Sequence, residues 1–208
     1  PQATHPWVMI VDTDERVPEE LRKEIEGVLR EPGDYIGFRM PRVNMVLGEP
    51  VRGANYYPDY QIRLFRRDRA RYELRRVHAH VLLDGPCGPL ESPLVHYTHR
   101  SLDQTLRNLL ILMTSWEAEQ REQNARQAGR QPTRALPVNL LLRTLGAFGL
   151  RYIRQGGWRD GYRGLVVSLI WAVYVMITYM KVWEGSLDLP EEWWARDWEE
   201  GRWRGEDS

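Results

Sequence analysis

The chain has 208 residues, 42% of them hydrophobic, with nine Trp, ten Tyr and three Phe. That is too much apolar material for a disordered segment, and the length suits one domain or one domain with an appendage. Lys+Arg and Asp+Glu both total 29, so net charge does not point to a nucleic-acid partner. The single cysteine, Cys87, excludes a disulfide framework and a Cys-rich zinc module.

The balanced total hides an asymmetry. Seven Arg lie between Tyr60 and Val77 against Asp68 and Glu73, while nine acids lie between Glu184 and Ser208. A basic middle points to an anionic ligand or surface; the plainer alternative is a solvated strand edge beside a loose tail. Only Lys23 and Lys181 are lysines, and arginine suits a two-pronged grip on phosphate.

In chain order, the N-terminus carries neither an initiator Met nor a signal-peptide pattern, and the expected reading is a piece of a longer protein. Trp7–Val11 reads as a buried strand running into Asp12-Thr13-Asp14-Glu15, which predicts carboxylates at the carboxyl edge of a sheet. Pro18–Arg30 reads as a helix, with Leu21, Ile25, Val28 and Leu29 as its apolar stripe. Tyr35–Met40 and Arg42–Leu47 read as two short strands, Gly48–Pro58 as a loop, Tyr60–Arg66 as an alternating strand, and Tyr72–Leu83 as a further strand. From Ser101 the character changes. Ser101 and Gln104 form a capping box opening a helix toward Gly129, followed by Pro137–Gln155 and Tyr162–Trp183. The stretch Leu165–Met180 carries no charge and is shorter than the ~20 residues of a usual span, so membrane-surface attachment is expected ahead of a buried core helix or a true span. The expected division is therefore 1–100, 101–184 and an acidic Trp-rich tail at 185–208.

Three groups of residues could carry chemistry. Asp12 and Asp14, one residue apart after an apolar strand, can share a divalent cation and bring it to a diphosphate, or simply terminate a strand. Asp59, at a loop-to-strand junction, can act as a base, with Gln61 and Arg63 on one strand face to hold an anionic group. His78, His80, His96 and His99 cluster in sequence, and a zinc site among them is geometrically possible.

The segments Trp7–Pro18, Pro41–Asn44, Tyr57–Arg67, Val77–His78, Asp84–Pro86, His96–Ser101, Asp160–Leu165 and Lys181–Glu184 resemble, in the same order, the family 2 glycosyltransferases of lipopolysaccharide-core type. The resemblance runs from Thr4 to about Glu184. It implies an α/β, Rossmann-like GT-A domain, incomplete because the half that holds the nucleotide base would precede Pro1, followed by a helical membrane-associated region. It implies an inverting transfer from a nucleotide-sugar donor to a glycan or lipid-linked acceptor. The donor would be held by Asp12, Asp14, Gln61 and Arg63, and Mg or Mn by Asp14 and Asp12 with His96 as a further contact. Asp59 would be the base, and the location peripheral, on the anionic cytoplasmic face of the inner membrane. Ala79 stands where similar sequences carry Glu, which would weaken catalysis if that Glu supported the base. Two rival readings are a non-catalytic membrane-associated scaffold and a haloacid-dehalogenase-type phosphatase with Asp12 as nucleophile; the latter lacks a suitably placed Lys and a second acid pair.

Overall fold

The computed structural model describes residues 3–73, 80–129 and 137–187. Its first half is built around one strand, β3 (Gly37–Val46), most of whose residues are buried. β5 (Asp59–Arg66) lies antiparallel to it on one side, and β8 (Cys87–Pro89) and β9 (Leu94–His99) lie parallel to it. β1 (Trp7–Met9) extends the sheet beyond β5, β2 (Glu15–Arg16) extends it beyond β9, and β4 (Glu49–Val51) folds back on β3. The fold is thus mixed α/β, with a curled sheet and helices.

Helix α1 (Glu19–Arg30) forms where the 3.6-residue stripe predicted it, with Pro18 as N-cap and Glu19 and Glu20 in the first turn. It buries Leu21 and Ile25 against Phe38, Met40, Leu64, Leu90 and Leu94. Each fully buried side chain of this kind is worth roughly 1.5–3 kcal/mol relative to exposure.

Four expectations need correction. The apolar run at Trp7 makes only a three-residue strand at one end of the sheet order, not a buried strand reaching Val11. A continuous apolar run predicts cover on both faces, whereas every residue of β1 is only half-buried. The two short strands flanking Pro41 are one continuous β3. Pairing to β8 ends at Arg39 and pairing to β9 begins at Arg42, so the missing N–H of Pro41 falls between two partners. The loop Gly48–Pro58 contains β4, joined to β3 through Leu47 and Gly48, both with positive φ (48° and 89°), as a tight two-residue hairpin requires. The strand expected over Tyr72–Leu83 is a hairpin of β6 (Ala70–Tyr72) and β7 (Val81–Leu83); residues 74–79 lie outside the described residues.

Ser101 caps the next helical stretch by accepting from the Gln104 backbone N–H at 3.2 Å. That stretch comprises α2 (Leu102–Thr105), a π-helical segment (Leu106–Met113) and α3 (Thr114–Gln127). α4 (Pro137–Gly149) likewise passes into a π-helical segment (Leu150–Arg154), and α5 (Gly161–Gly185) closes the described chain. α5 packs on α3 and α4, and its Val167 joins Val46, Val51 and Ala54 in a second small core.

Asp160 makes one of several fastenings between the strand and helical parts. Asp160 accepts from the backbone N–H groups of Arg52 and Gly53 at 3.1 and 2.6 Å. A Cβ on Gly53 would lie 2.3 Å from the Gly156 carbonyl oxygen, so only glycine permits this approach.

Candidate functional site

Strand register assembles the site. Asp59 is paired with Arg42, and His96 is paired with both Asn44 and Glu15. Cross-strand partners share a sheet face, as do residues two apart, so these groups converge at the carboxyl ends of the parallel pair β3 and β9. Open α/β sheets bind ligands at such ends. The loop Asp12–Asp14 crosses this end, because β1 and β2 occupy opposite ends of the sheet order.

Glu15 is the hub. Its side chain is fully buried and accepts from Arg63 Nη2 at 2.5 Å and Arg42 Nη1 at 3.2 Å, and from the Asp12 backbone N–H at 3.0 Å. Arg63 also donates to Asp12 at 2.5 Å, and Arg42 to Asp59 Oδ2 at 2.6 and 2.9 Å. Three carboxylates and two guanidiniums therefore alternate, each charge compensated by a neighbour. Arg63, expected to hold an anionic ligand, is instead occupied by Glu15 and Asp12. Asp12 and Asp14 do not face one partner: the Asp14 carboxylate lies 3.5 Å from His96 Nε2.

Asp59 is held on both oxygens. Gln61 Nε2 donates to Oδ1 at 2.8 Å, and Asn44 Nδ2 reaches Oδ2 at 3.3 Å beside the Arg42 bonds. Burial alone would raise the Asp59 carboxyl, but Arg42 and the hydrogen bonds from Gln61, Arg42 and Asn44 bring it below the ordinary carboxylate value. Oδ1 accepts one bond and keeps a free lone pair.

The same network fixes the histidines. Asn44 spends its amide N–H groups on the Tyr56 carbonyl (2.8 Å) and on Asp59, so its Oδ1 accepts from His96 Nδ1–H at 2.6 Å. His96 Nε2 then presents a lone pair toward Asp14. Burial, and then Arg42, lower the His96 pKa despite Asp14, Glu15 and Asp59, so the ring is neutral near pH 7. The Asp14 carboxylate and His96 Nε2 are two donors that could share a cation. Among the described residues, no group of three or more His, Cys, Asp or Glu side chains gathers as a ligand set, so a cation here would complete its shell with water and substrate. His99 belongs to a second pair. Thr105 gives its hydroxyl proton to the Ser101 carbonyl (2.7 Å) and accepts from His99 Nδ1–H (3.1 Å), leaving His99 Nε2 to accept from the Tyr56 hydroxyl at 2.7 Å. Burial pushes Tyr56 up to about 12 and His99 down to about 4. His80 is exposed just before β7, and His78 and Ala79 lie outside the described residues.

A cavity of ≈ 280 Å³ opens beside these groups, with Arg42, Asn44, Asp59 and His96 on a strand wall and Leu109, Arg151 and Trp171 on a helix wall. A larger hollow of ≈ 360 Å³ lies at the β6–β7 hairpin and shares no residue with it. Sequence reasoning missed Glu15, Arg42 and Arg151. The run Asp12-Thr-Asp-Glu15 carried a signal for the first, but nothing local marked the arginines. The phosphatase reading loses support: Arg63 occupies Asp12, Lys23 pairs with Glu19, and Lys181 donates to Ser115 on α3.

No family model matches the chain. It is 26% identical over 186 residues to the lipopolysaccharide core biosynthesis glycosyltransferase LpsC of Rhizobium meliloti (strain 1021), an alignment that covers 88% of this chain and 66% of that protein. The chain thus spans just under two thirds of the length of this relative, and the resemblance read from the sequence and this similarity name the same kind of protein.

Proposed function

We propose that the chain is the acceptor-side part of an inverting family 2 glycosyltransferase of GT-A type, acting in lipopolysaccharide or cell-envelope synthesis. The observation that carries this reading is the hydrogen-bonded network joining the Asp59 carboxylate to His96 through Asn44, with the Asp14 carboxylate 3.5 Å beyond His96 Nε2, at the carboxyl end of the sheet. The similarity to LpsC supports it independently.

In this reading the acceptor hydroxyl gives its proton to Asp59 Oδ1 while its oxygen bonds to the anomeric carbon. The bond from that carbon to the diphosphate oxygen breaks, and configuration inverts. Gln61, Arg42 and Asn44 orient the carboxylate, and Glu15 holds Arg42 in place. Asp14 and His96 would hold Mg or Mn, which when bound neutralises charge on the leaving diphosphate. Asp12, locked by Arg63, shapes the acid loop from which the donor is gripped.

The helices supply location. α5, with the turn before it, is long and apolar enough to cross a bilayer, and it packs in part on α3 and α4. Exposed Val138, Leu141, Leu142, Leu145 and Ile153 make one broad apolar face, with Arg143, Arg154 and Arg159 exposed around it. Such a face suits the interface of an anionic membrane, and peripheral binding at the cytoplasmic surface of the inner membrane follows for a nucleotide-sugar enzyme. Arg151 and Arg163 turn inward, away from this face: they donate to the Ala54 and Leu47 carbonyls.

The test is made on the intact protein. Calorimetric titration with nucleoside diphosphates should show binding that needs Mn²⁺ and is lost in Asp14→Ala. Asp59→Asn should keep that binding and lower kcat by about 10²–10⁴-fold. Unchanged turnover in Asp59→Asn would remove Asp59 as the base, and absence of binding to every nucleoside diphosphate would favour the scaffold reading.

A further inference from the structure

We propose that the helix wall of the cavity is a subsite for an anionic group, carboxylate or phosphate, carried by the acceptor sugar, with Arg151 as its ligand and Trp171 as the residue that positions it. The proposal rests on the transferase reading above and narrows its acceptor.

Among the described residues, the arginines near the site divide into two kinds. Arg42 and Arg63 are saturated by carboxylates. Arg151 is half-buried and has no carboxylate within 4.0 Å among the described residues. It stacks at 4.0 Å over the Trp171 ring and spends Nη1 on the Ala54 carbonyl at 2.5 Å. Trp171 is itself stacked with Tyr174 at 5.0 Å, which fixes the plane of the guanidinium. A guanidinium carries five N–H donors, and most of this one's fork is left for a ligand in the cavity it lines. Burial lowers the Arg151 pKa, the signature of a cation short of a counter-anion.

Two independent features mark the same cavity. Both π-helical segments, Leu106–Met113 and Leu150–Arg154, place one residue in the cavity, Leu109 and Arg151. Single-turn π geometry such as that of Leu150–Arg154 recurs at functional sites. Ala54 and Asn55 both hold left-handed backbone (φ 52° and 65°) although neither is glycine, and Asn55 lines the cavity while Ala54 receives the Arg151 bond. Backbone of this kind persists where its surroundings hold it, commonly at ligand clamps. The planar fork of Arg151 fits the two oxygens of a carboxylate or phosphate, and Asp59 lies in the same cavity to meet a hydroxyl of the same sugar.

The test uses the intact protein at low salt without divalent cation, titrated with glucuronate, glucose 6-phosphate and glucose, and separately with inorganic diphosphate. Either charged sugar should bind at least about tenfold tighter than glucose, and which of the two does so identifies carboxylate or phosphate. Arg151→Gln should remove that preference and Arg151→Lys should keep part of it. Trp171→Phe should retain more of it than Trp171→Leu, at unchanged thermal stability. If Arg151→Gln does not fold, Arg151→Lys carries the test, because loss of the fork alone must weaken the charged probes. Equal binding of glucose and both charged sugars overturns the proposal. So does an Arg151→Lys or Arg151→Gln protein with wild-type preference, or loss confined to diphosphate, which would assign Arg151 to the donor. Manganese-dependent nucleoside diphosphate binding, read on the same samples, reports on the transferase reading separately: its absence with the charged-sugar preference intact leaves the subsite standing.

Discussion

The strand half and the helical half handle the same problem in opposite ways. Around β3 every buried charge is matched: Glu15 sits between Arg42 and Arg63, and Asp59 is held by three donors. Around α4 and α5 the apolar side chains are what lack a match, with Leu141 61% and Ile153 68% exposed. A carboxylate buried at zero exposure persists only because its partners are in place, whereas an exposed leucine persists because nothing in water penalises it enough to unfold a helix held elsewhere. Among the described residues, the first half thus matches its buried charges internally, and the second leaves apolar side chains uncovered.

The sharpest way to break this contrast is at the hub. Glu15→Ala leaves two guanidiniums facing a void and should cost about 3–5 kcal/mol, read by urea denaturation. A loss below about 1 kcal/mol would mean that the network is solvated after all. Next in size is the pH response of His99. With its folded pKa held near 4 against an unfolded value near 6.5, the unfolded chain takes up a proton that the folded chain refuses. Stability should fall as pH drops from about 6.5 toward 4, by on the order of 2 kcal/mol, and this extra loss should be absent in His99→Gln. Wild type and variant with parallel profiles would show that water reaches the Tyr56–His99 pair. On the helical side, Leu141→Ser should leave the melting temperature nearly unchanged yet weaken flotation with anionic vesicles by about tenfold. If it unfolds the protein instead, the apolar face is core. The smallest effect belongs to Arg154→Gln, about 1 kcal/mol of vesicle binding at low salt and nothing at high salt.

How much of this was legible beforehand follows from distance along the chain. α1 announced itself through Leu21 and Ile25, one turn apart, and the start of α2 through Ser101 and Gln104. Those signals are local. Asp59 and His96 could be named as candidates, but not what surrounds them. Arg42 meets Glu15 across 27 positions and Asp59 across 17, and such pairs depend on strand register, which no periodicity reveals. The edge position of Trp7–Met9 was hidden for the same reason. The π-helical turns were hidden because leucines spaced for an α-helix also suit a locally wider one.

The junction at Gly53 has a consequence for reach. Two backbone N–H groups clasp the Asp160 carboxylate, and the Gly156 carbonyl leaves no room for even a methyl group beside Gly53. A joint this tight opposes a hinge between the strand half and the base of α5. On the proposed reading, the helices then act as a stand of fixed height, and the cleft rides at one set distance above the lipid plane. Encounters would be a search in two dimensions, and the sugar addressed along a lipid-anchored chain would be the one that the stand lifts to Asp59.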